Sequence, residues 1–353
     1  MEKSFAMKLL IVTQIMDKND DLLGFMQDWV FAMAKQAQQV TVICLKKGEN
    51  DLPENVQVIS LKKEKGSGKI KRLWLFYKYI FAYKKQYDAV FVHMNPIYVV
   101  LGGLFWRMMD KKVSLWFAHY HTSILLRLAN FFTDIIFTST AYACRLQSKK
   151  IVVVGQGIDT KRFAYKPRTF LQEPKLLFLG RISSVKELDV LIDALSYLKE
   201  KSWHLDVVGA PLESSKDYFF SIREKVENLQ LSDRITFYGK VANAQTVAYY
   251  RNADYFVNLT RSGSFDKTTL EAMSTGCIPV VSNTVFCEIF PQDLQQSLIF
   301  SQSQSTDLSE KLTSLFAMNV QKKERISSKM SEIIRVEHST LSLSRKIYEA
   351  LKA

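Results

Sequence analysis

Short apolar runs recur along this chain with helix-length patterns between them, and that rhythm constrains the fold more than any other feature of the sequence. In the first half the runs fall at residues 8–13, 40–44, 56–60, 89–93, 113–117, 135–138 and 151–154. In the second half they fall at 176–180, 205–209, 235–238, 255–258, 278–282 and 297–300. Several are apolar throughout rather than alternating, as expected of parallel strands covered on both faces. Helical patterns fill the gaps, for example at 23–37, 185–199, 217–228 and 268–275. Strand and helix in alternation predict an α/β chain with doubly wound parallel sheets. At 353 residues the chain exceeds one ordinary core and suits two domains of roughly 150 to 180 residues each. The break is expected at 155–175, a stretch with two glycines and two prolines and no periodicity. The expected units are 1–160, 172–330 and a C-terminal helical segment, 331–353. In open parallel sheets ligands bind beyond the carboxyl ends of the strands, so two such sheets are expected to face a central cleft.

Composition narrows the classes. A charged fraction of 24% and 47% hydrophobic residues describe a folded chain, without tracts of low complexity or a defensible internal repeat. Cys44, Cys144, Cys277 and Cys287 are scattered, with neither C-x-x-C spacing nor a histidine cluster, so buried reduced thiols are expected rather than disulfides or zinc. The opening MEKSFAMKLLIVTQ lacks the apolar core and cleavage site of a signal peptide, and the apolar stretch 89–109 is broken by His93, Asn95 and Pro96. A cytoplasmic protein is expected, soluble or peripheral on the cytoplasmic membrane face. The net charge of +13 favours an anionic partner: nucleotide phosphates, acidic lipid or nucleic acid.

Two junctions carry candidate chemistry. In LLFLGRISSVKELDVLIDAL (176–195) a strand ends at Gly180, where the backbone can approach a ligand, and Arg181 and Lys186 flank the loop before a helix. Two cations at a helix start form a diphosphate site; the bland alternative is an ordinary turn with solvated charges. In NLTRSGSFDKTTLEAMSTGCIPVVS (258–282) Asp266 is an N-cap candidate that leaves Lys267, Thr268 and Thr269 in the first helical turn, with amides expected to face a ligand. Glu271 follows on the same helix as a candidate acceptor for sugar hydroxyls, and Gly276 ends the helix. The bland alternative is a capped helix with an exposed glutamate.

These segments resemble family 4 of the retaining glycosyltransferases, which have the GT-B fold of two Rossmann-like domains. The matching residues are GRISSVKELDVLIDAL and GSFDKTTLEAMSTGCIPVVS, with VVGQGIDTKRF before them and VVGAP and FYGKV between. The first half matches only in its strand–helix rhythm and in DAVFVHMNP and LWFAHYH. The resemblance implies a glycosyltransferase using a nucleoside diphosphate sugar, without a metal or other cofactor. It implies that Gly180, Arg181, Lys186, Lys267 and Thr268 bind the donor diphosphate. Glu271 would hold the ribose, with Asp266, Gly263, Ser264 and Phe265 about the sugar, and Gly239, Lys240 and Val241 would border the base. His119 matches the family histidine that approaches the transferred sugar, with His121 as fallback; a lone histidine at a strand end is more often structural. It also implies that the last helix packs back on the N-terminal domain. Two departures stand out. Gly263 sits where the family usually has a second glutamate, for which Asp266 is the candidate replacement, and the glycine pair after the first strand is replaced by TQIMDKNDDLLGF.

A third segment, KIKRLWLFYKYIFAYKKQY (69–87), puts Ile70, Leu73, Trp74, Tyr77 and Phe81 on one helical face and Lys71, Lys78 and Lys85 on another. With Lys62, Lys63 and Lys65 upstream, the stretch 62–87 suits an anionic membrane surface, or equally a buried helix with a solvated basic edge. Nucleic acid is not expected, because no RRM, KH or helix-turn-helix signature is present. The expected acceptor is a lipid-linked or membrane-proximal glycan of the cell-surface polysaccharide type. The alternatives left open are a sugar-nucleotide epimerase or phosphorylase of similar fold, and a non-catalytic donor-binding or scaffold homologue.

Overall fold

A computed structural model of the chain describes residues 7–20, 22–119, 121–170, 172–261 and 263–353; the opening residues 1–6 and Asp21 of the polar loop lie outside them. Twelve strands are described: β1 (Lys8–Met16), β2 (Gln39–Lys47), β3 (Val56–Ser60), β4 (Ala89–His93), β5 (Lys112–Trp116), β6 (Ile135–Thr138), β7 (Ile151–Val153), β8 (Lys175–Leu179), β9 (His204–Val208), β10 (Ile235–Gly239), β11 (Tyr255–Asn258) and β12 (Ile278–Val281). The helices are α1 (Met26–Ala34), α2 (Lys69–Ala82), α3 (Pro96–Met108), α4 (Ile124–Phe132), α5 (Leu188–Ser196), α6 (Lys216–Asn228), α7 (Thr246–Asn252), α8 (Lys267–Thr275), α9 (Gln292–Leu298), α10 (Ser305–Ala317), α11 (Val320–Glu337) and α12 (Thr340–Lys352). The chain forms two compact units, Met1–Gly157 with Ser339–Ala353, and Ile158–His338.

Unit 1 is a seven-stranded parallel sheet in the order β3-β2-β1-β4-β5-β6-β7. Its strands are apolar throughout because both faces are covered. Leu9 and Ile11 of β1 join a core with Trp29, Met33, Leu343 and Ile347, while Leu10 and Val12 join the opposite core with Phe76, Ile80, Trp106 and Leu126. Thus α1 and α12 cover one face and α2, α3 and α4 the other. The chain breaks helix at His338, and Ser339 caps α12 by accepting from the Ser342 amide at 3.1 Å.

Unit 2 is a five-stranded parallel sheet in the order β10-β9-β8-β11-β12. The strand order reverses between β8 and β11, the switch point of such sheets, so the loops leaving these two strands lie side by side. The glycine- and proline-containing stretch after Gly157 is not a loose linker. Ile158, Phe163 and Phe170 are buried in the core of unit 2, and the Arg168 guanidinium donates to the carbonyls of Tyr250 and Ala253.

Two expectations need correction. Residues 297–300 are not a strand: Leu294 and Leu298, four apart, are the buried residues of α9, and only Ile299 bridges to Val281. Cys287 is exposed, unlike the three buried thiols, because it sits on a short turn, Thr284–Glu288, whose Val285 and Phe286 face inward.

Candidate functional site

The carboxyl ends of β8, β9 and β10 are tied in a rung: the Gly180 amide donates to Val208 O at 3.0 Å, and the Gly209 amide to Gly239 O at 2.9 Å. Gly209 has φ +143°, and a Cβ there would lie 1.8 Å from the Gly180 carbonyl oxygen. At Gly180 and Gly263 a Cβ would meet nothing within 4 Å, so what disfavours a side chain at either is the backbone angle, φ +159° and +158°, rather than packing. Gly209→Ala is therefore expected to destabilise the protein by about 2 to 6 kcal/mol, from backbone strain plus overpacking against main chain that cannot yield. Chemical denaturation checks this, and a loss under 1 kcal/mol, on the order of one rotamer's strain, contradicts it.

From β8 the chain enters a single tight turn, Ser184–Lys186, before α5. Glu187 separates the two at φ +47°, with its carboxylate accepting from Ser303 at 2.9 Å and Arg261 at 3.4 Å. The helix expected from 185 thus starts at Leu188, and α5 is held by Leu188, Leu191, Ile192 and Leu195, each completely buried and worth about 1.5 to 3 kcal/mol. The tight turn carries Lys186 across to the neighbouring loop. Its Nζ lies 2.7 Å from Thr260 Oγ1 and 2.8 Å from Asp266 Oδ2. Asp266 also caps α8, accepting at Oδ1 from the Thr268 hydroxyl at 2.6 Å and the Thr268 amide at 3.2 Å. Burial alone would raise the Asp266 carboxyl; the Lys186 ammonium and the hydrogen bonds from Lys186, Thr268 and Asn258 instead hold it well below the usual carboxylate range.

One turn further along α8, Glu271 is buried, with Oε2 accepting from the Tyr250 hydroxyl at 3.1 Å and Oε1 4.0 Å from Lys267 Nζ. Burial pushes its carboxyl up, over the opposing pull of Lys267 and the Tyr250 hydrogen bond. Tyr250, enclosed beside it, is pushed well above the ordinary phenol range, first by burial and then by Glu271. Arg181 is exposed and, among the described residues, has no hydrogen-bond or ion-pair partner. A lysine held by a carboxylate, a free guanidinium and a capped helix start therefore sit on the carboxyl edge of one sheet, with a carboxylate acceptor one turn away. Such a set binds phosphates and neutral hydroxyls.

The profile of the family described as Glycosyl transferases group 1 matches residues 158–332, and that of the Glycosyl transferase 4-like family matches 19–154. The chain belongs to the group 1, family 4-like glycosyltransferases. The two matches follow the two units. The group 1 chain is 32% identical over 151 residues to mannosylfructose-phosphate synthase of Agrobacterium fabrum, covering 39% of this chain and 33% of that one. It is also 32% identical over 112 residues to alpha-monoglucosyldiacylglycerol synthase of Streptococcus pneumoniae, covering 31% and 24%. The matches thus span a third or less of these curated relatives. Among solved structures it resembles HepE of Anabaena in complex with UDP, with a TM-score of 0.76 at 17% identity over 98% of this chain and 100% of that one. A glycosyltransferase of Rickettsia africae gives a TM-score of 0.76 at 16% identity over 98% of both chains. These likenesses establish the GT-B fold.

Within unit 2 the group 1 chain brings Lys186, Asp266, Thr268, Lys267 and Glu271 together. Gly180 and Arg181 stand at the end of β8, and Gly239 at the end of β10, φ +69°, with Lys240 and Val241 after it. Three readings change. Two first-turn amides of α8 are engaged by Asp266 rather than facing outward, that of Thr268 by the Asp266 side chain and that of Thr269 by the Asp266 carbonyl at 3.2 Å. Both carboxylate oxygens of Asp266 are taken by protein donors, which makes it a cap and a lysine partner first. Phe265 is a core anchor rather than a ligand contact, its ring 5.3 Å from Phe286 and 5.4 Å from His338. Ser264, its carbonyl accepting from Asn283 at 2.8 Å, holds the loop in place beside Gly263.

In unit 1, His119 follows β5, is exposed, and accepts at Nδ1 from the His121 amide at 3.1 Å. That bond leaves Nε2 as the protonated nitrogen of the neutral ring, and so a donor. Sequence reasoning missed Tyr250, Thr260 and Asn258, whose Oδ1 accepts from the Thr260 amide at 2.8 Å. Asn258 and Thr260 bracket the end of β11 in NLT, the one signal available; Tyr250 gave none.

Proposed function

We propose that this chain is a retaining glycosyltransferase that moves a sugar from a nucleoside diphosphate sugar to a glycan acceptor, lipid-linked or membrane-proximal, at the cytoplasmic face of a membrane. The observation that carries the reading is the contact between Lys186 and the Asp266–Thr268 start of α8, with Glu271 one turn on. Lys186, exchanging Asp266 for a phosphate oxygen, and Arg181 would stabilise the charge that builds on the leaving diphosphate, so the protein itself supplies the cations. Glu271 would accept from the ribose hydroxyls, and the loop at Gly239–Val241 would border the base. His119 would donate from Nε2 to the transferred sugar, a role that rests on the family resemblance. HepE, whose structures are described with UDP, with UDP and glucose and with UDP-glucose, supports a sugar nucleotide as donor. A relative named lipopolysaccharide core biosynthesis mannosyltransferase, from Rhizobium meliloti, supports a cell-surface glycan as acceptor.

The test is a thermal-shift screen of nucleoside diphosphate sugars, followed by NMR of the product formed from the best donor with a panel of acceptors. A raised melting temperature and an anomeric coupling unchanged from donor to product are expected. Inversion would refute retention. Turnover of the donor without acceptor would make the chain an epimerase, and binding without any turnover a scaffold.

A further inference from the structure

The donor network uses none of the side chains that α2, α3 and α4 turn outward. These helices lie side by side on one face of the sheet of unit 1. The Phe81 and Phe105 rings are 5.3 Å apart, and Gly103 admits Phe132 so closely that a Cβ there would sit 2.4 Å from the Phe132 Cβ. Their inward sides fill the core, yet their outer sides leave Ile70 87%, Trp74 58%, Met108 76%, Ile124 78% and Phe131 67% exposed. On the opposite face, α1 and α12 expose only Phe31 and Leu341 among large apolar residues. Apolar surface on that scale marks an interaction site.

The charges on this surface identify the partner. The segments KIKRLWLFYKYIFA, PIYVVLGGLFWRM and ILLRLANFF contain no acidic residue. Lys71, Lys78, Arg107 and Arg127 are exposed on them, and Lys84 and Lys85 follow α2. Basic heads lie over exposed rings: Lys78 Nζ is 5.2 Å from the Trp74 ring and the Arg107 guanidinium 5.4 Å from that of Phe131. A protein interface is depleted of lysine, whereas apolar rings fringed by lysine and arginine suit the boundary between headgroups and acyl chains. No helix among the described residues is long and apolar enough to cross a membrane, so the contact would be superficial.

We propose that the outer sides of α2, α3 and α4 together form a docking face for an anionic lipid surface, with Ile124, Phe131 and Trp74 entering the headgroup boundary and the lysines and arginines meeting phosphates. The sequence pattern marked only the α2 part. The inference deepens the proposed membrane-proximal location and is independent of the donor reading, because it is tested without nucleotide. The whole chain is sedimented with phosphatidylcholine vesicles, with and without phosphatidylglycerol. Co-sedimentation is expected with the anionic vesicles, at least about 10-fold weaker with phosphatidylcholine alone, and lowered on the order of 100-fold when Lys71, Lys78 and Lys85 are changed to glutamine. Ile124→Ser with Phe131→Ser, both at exposed positions, is expected to lower it at an unchanged melting temperature. No sedimentation of the parent chain, or anionic binding indifferent to the α4 pair, overturns the proposal. So does a dimer by light scattering that Phe131→Ser dissolves, which would give this face to a second copy.

Discussion

Lys186→Ala is expected to weaken nucleoside diphosphate binding, measured by calorimetry, by about 10- to 100-fold, the value of a charged hydrogen bond of about 1.5 to 3 kcal/mol. The loss has a second component inside the protein. Lys186 Nζ sits 2.8 Å from Asp266 Oδ2, so the variant leaves a mostly buried carboxylate without its cation beside the incoming phosphates. Its melting temperature should therefore fall as well. The fall should be largest above the ordinary carboxylate range. The Asp266 pKa is depressed in the folded state, so its contribution is full above the unfolded value and vanishes as pH drops through the folded one. Asp266→Asn separates anion binding from simple support of the fold. Asparagine caps a helix about as well as aspartate, so α8 keeps its start, while Lys186 is released from its ion pair. Diphosphate affinity is then expected to rise about 3-fold or more, since one repulsive charge is gone and one cation is freed. Variants that move affinity in opposite directions identify a ligand-exchanging lysine. If both weaken binding alike, or neither does, Lys186 is a structural residue.

The two strand-to-helix junctions could be read from sequence because each has a local signature: an apolar run, small residues, then a capped amphipathic helix. That β8 and β11 are neighbours could not, since strand order is set by crossovers that leave no mark at either junction. Buried strands were legible from composition, with both faces of each sheet covered. Lys186 was identified, but its partner was not. Asp266 reads as an N-cap, and only the tight turn at Ser184–Lys186 with Glu187 at φ +47° carries the lysine over to it. Phe265 was set about the sugar only by the family resemblance, which does not show that its ring packs against Phe286 and His338. Tyr250 was invisible, since a tyrosine on a short helix shows its role only once α7 and α8 are seen packed together. The apolar outer side of α4 went unnoticed for the opposite reason. An amphipathic segment such as ILLRLANFF signals a helix but not how much of its apolar surface the sheet can cover.

Glu271→Gln is expected to stabilise the protein at neutral pH and at the same time to weaken donor binding. The glutamine keeps a carbonyl oxygen for the Tyr250 hydroxyl, now 3.1 Å from Glu271 Oε2, and removes a buried charge whose nearest cation, Lys267, stands 4.0 Å away. The sign follows from the raised carboxyl. Below the ordinary glutamate value the wild-type residue is protonated folded or unfolded and costs nothing. Between that value and the elevated folded one, the unfolded chain gives up a proton that the folded chain keeps because burial disfavours the ionised carboxylate, and stability is lost. The difference in unfolding free energy between variant and wild type should therefore be near zero at acid pH, open across the interval above the ordinary value, and level off beyond it. Asp266 titrates in both proteins and largely cancels from the difference. Binding should move the other way. A carboxylate accepting from a ribose diol is expected to lose about 10-fold or more in donor affinity when made neutral, because charged hydrogen bonds exceed neutral ones by about 1 to 2 kcal/mol. Stability kept below its maximum for the sake of a ligand is the mark of a binding residue. A stability difference that does not change with pH would show that folding does not raise the Glu271 carboxyl. Donor affinity untouched by the substitution would remove it from the ribose site.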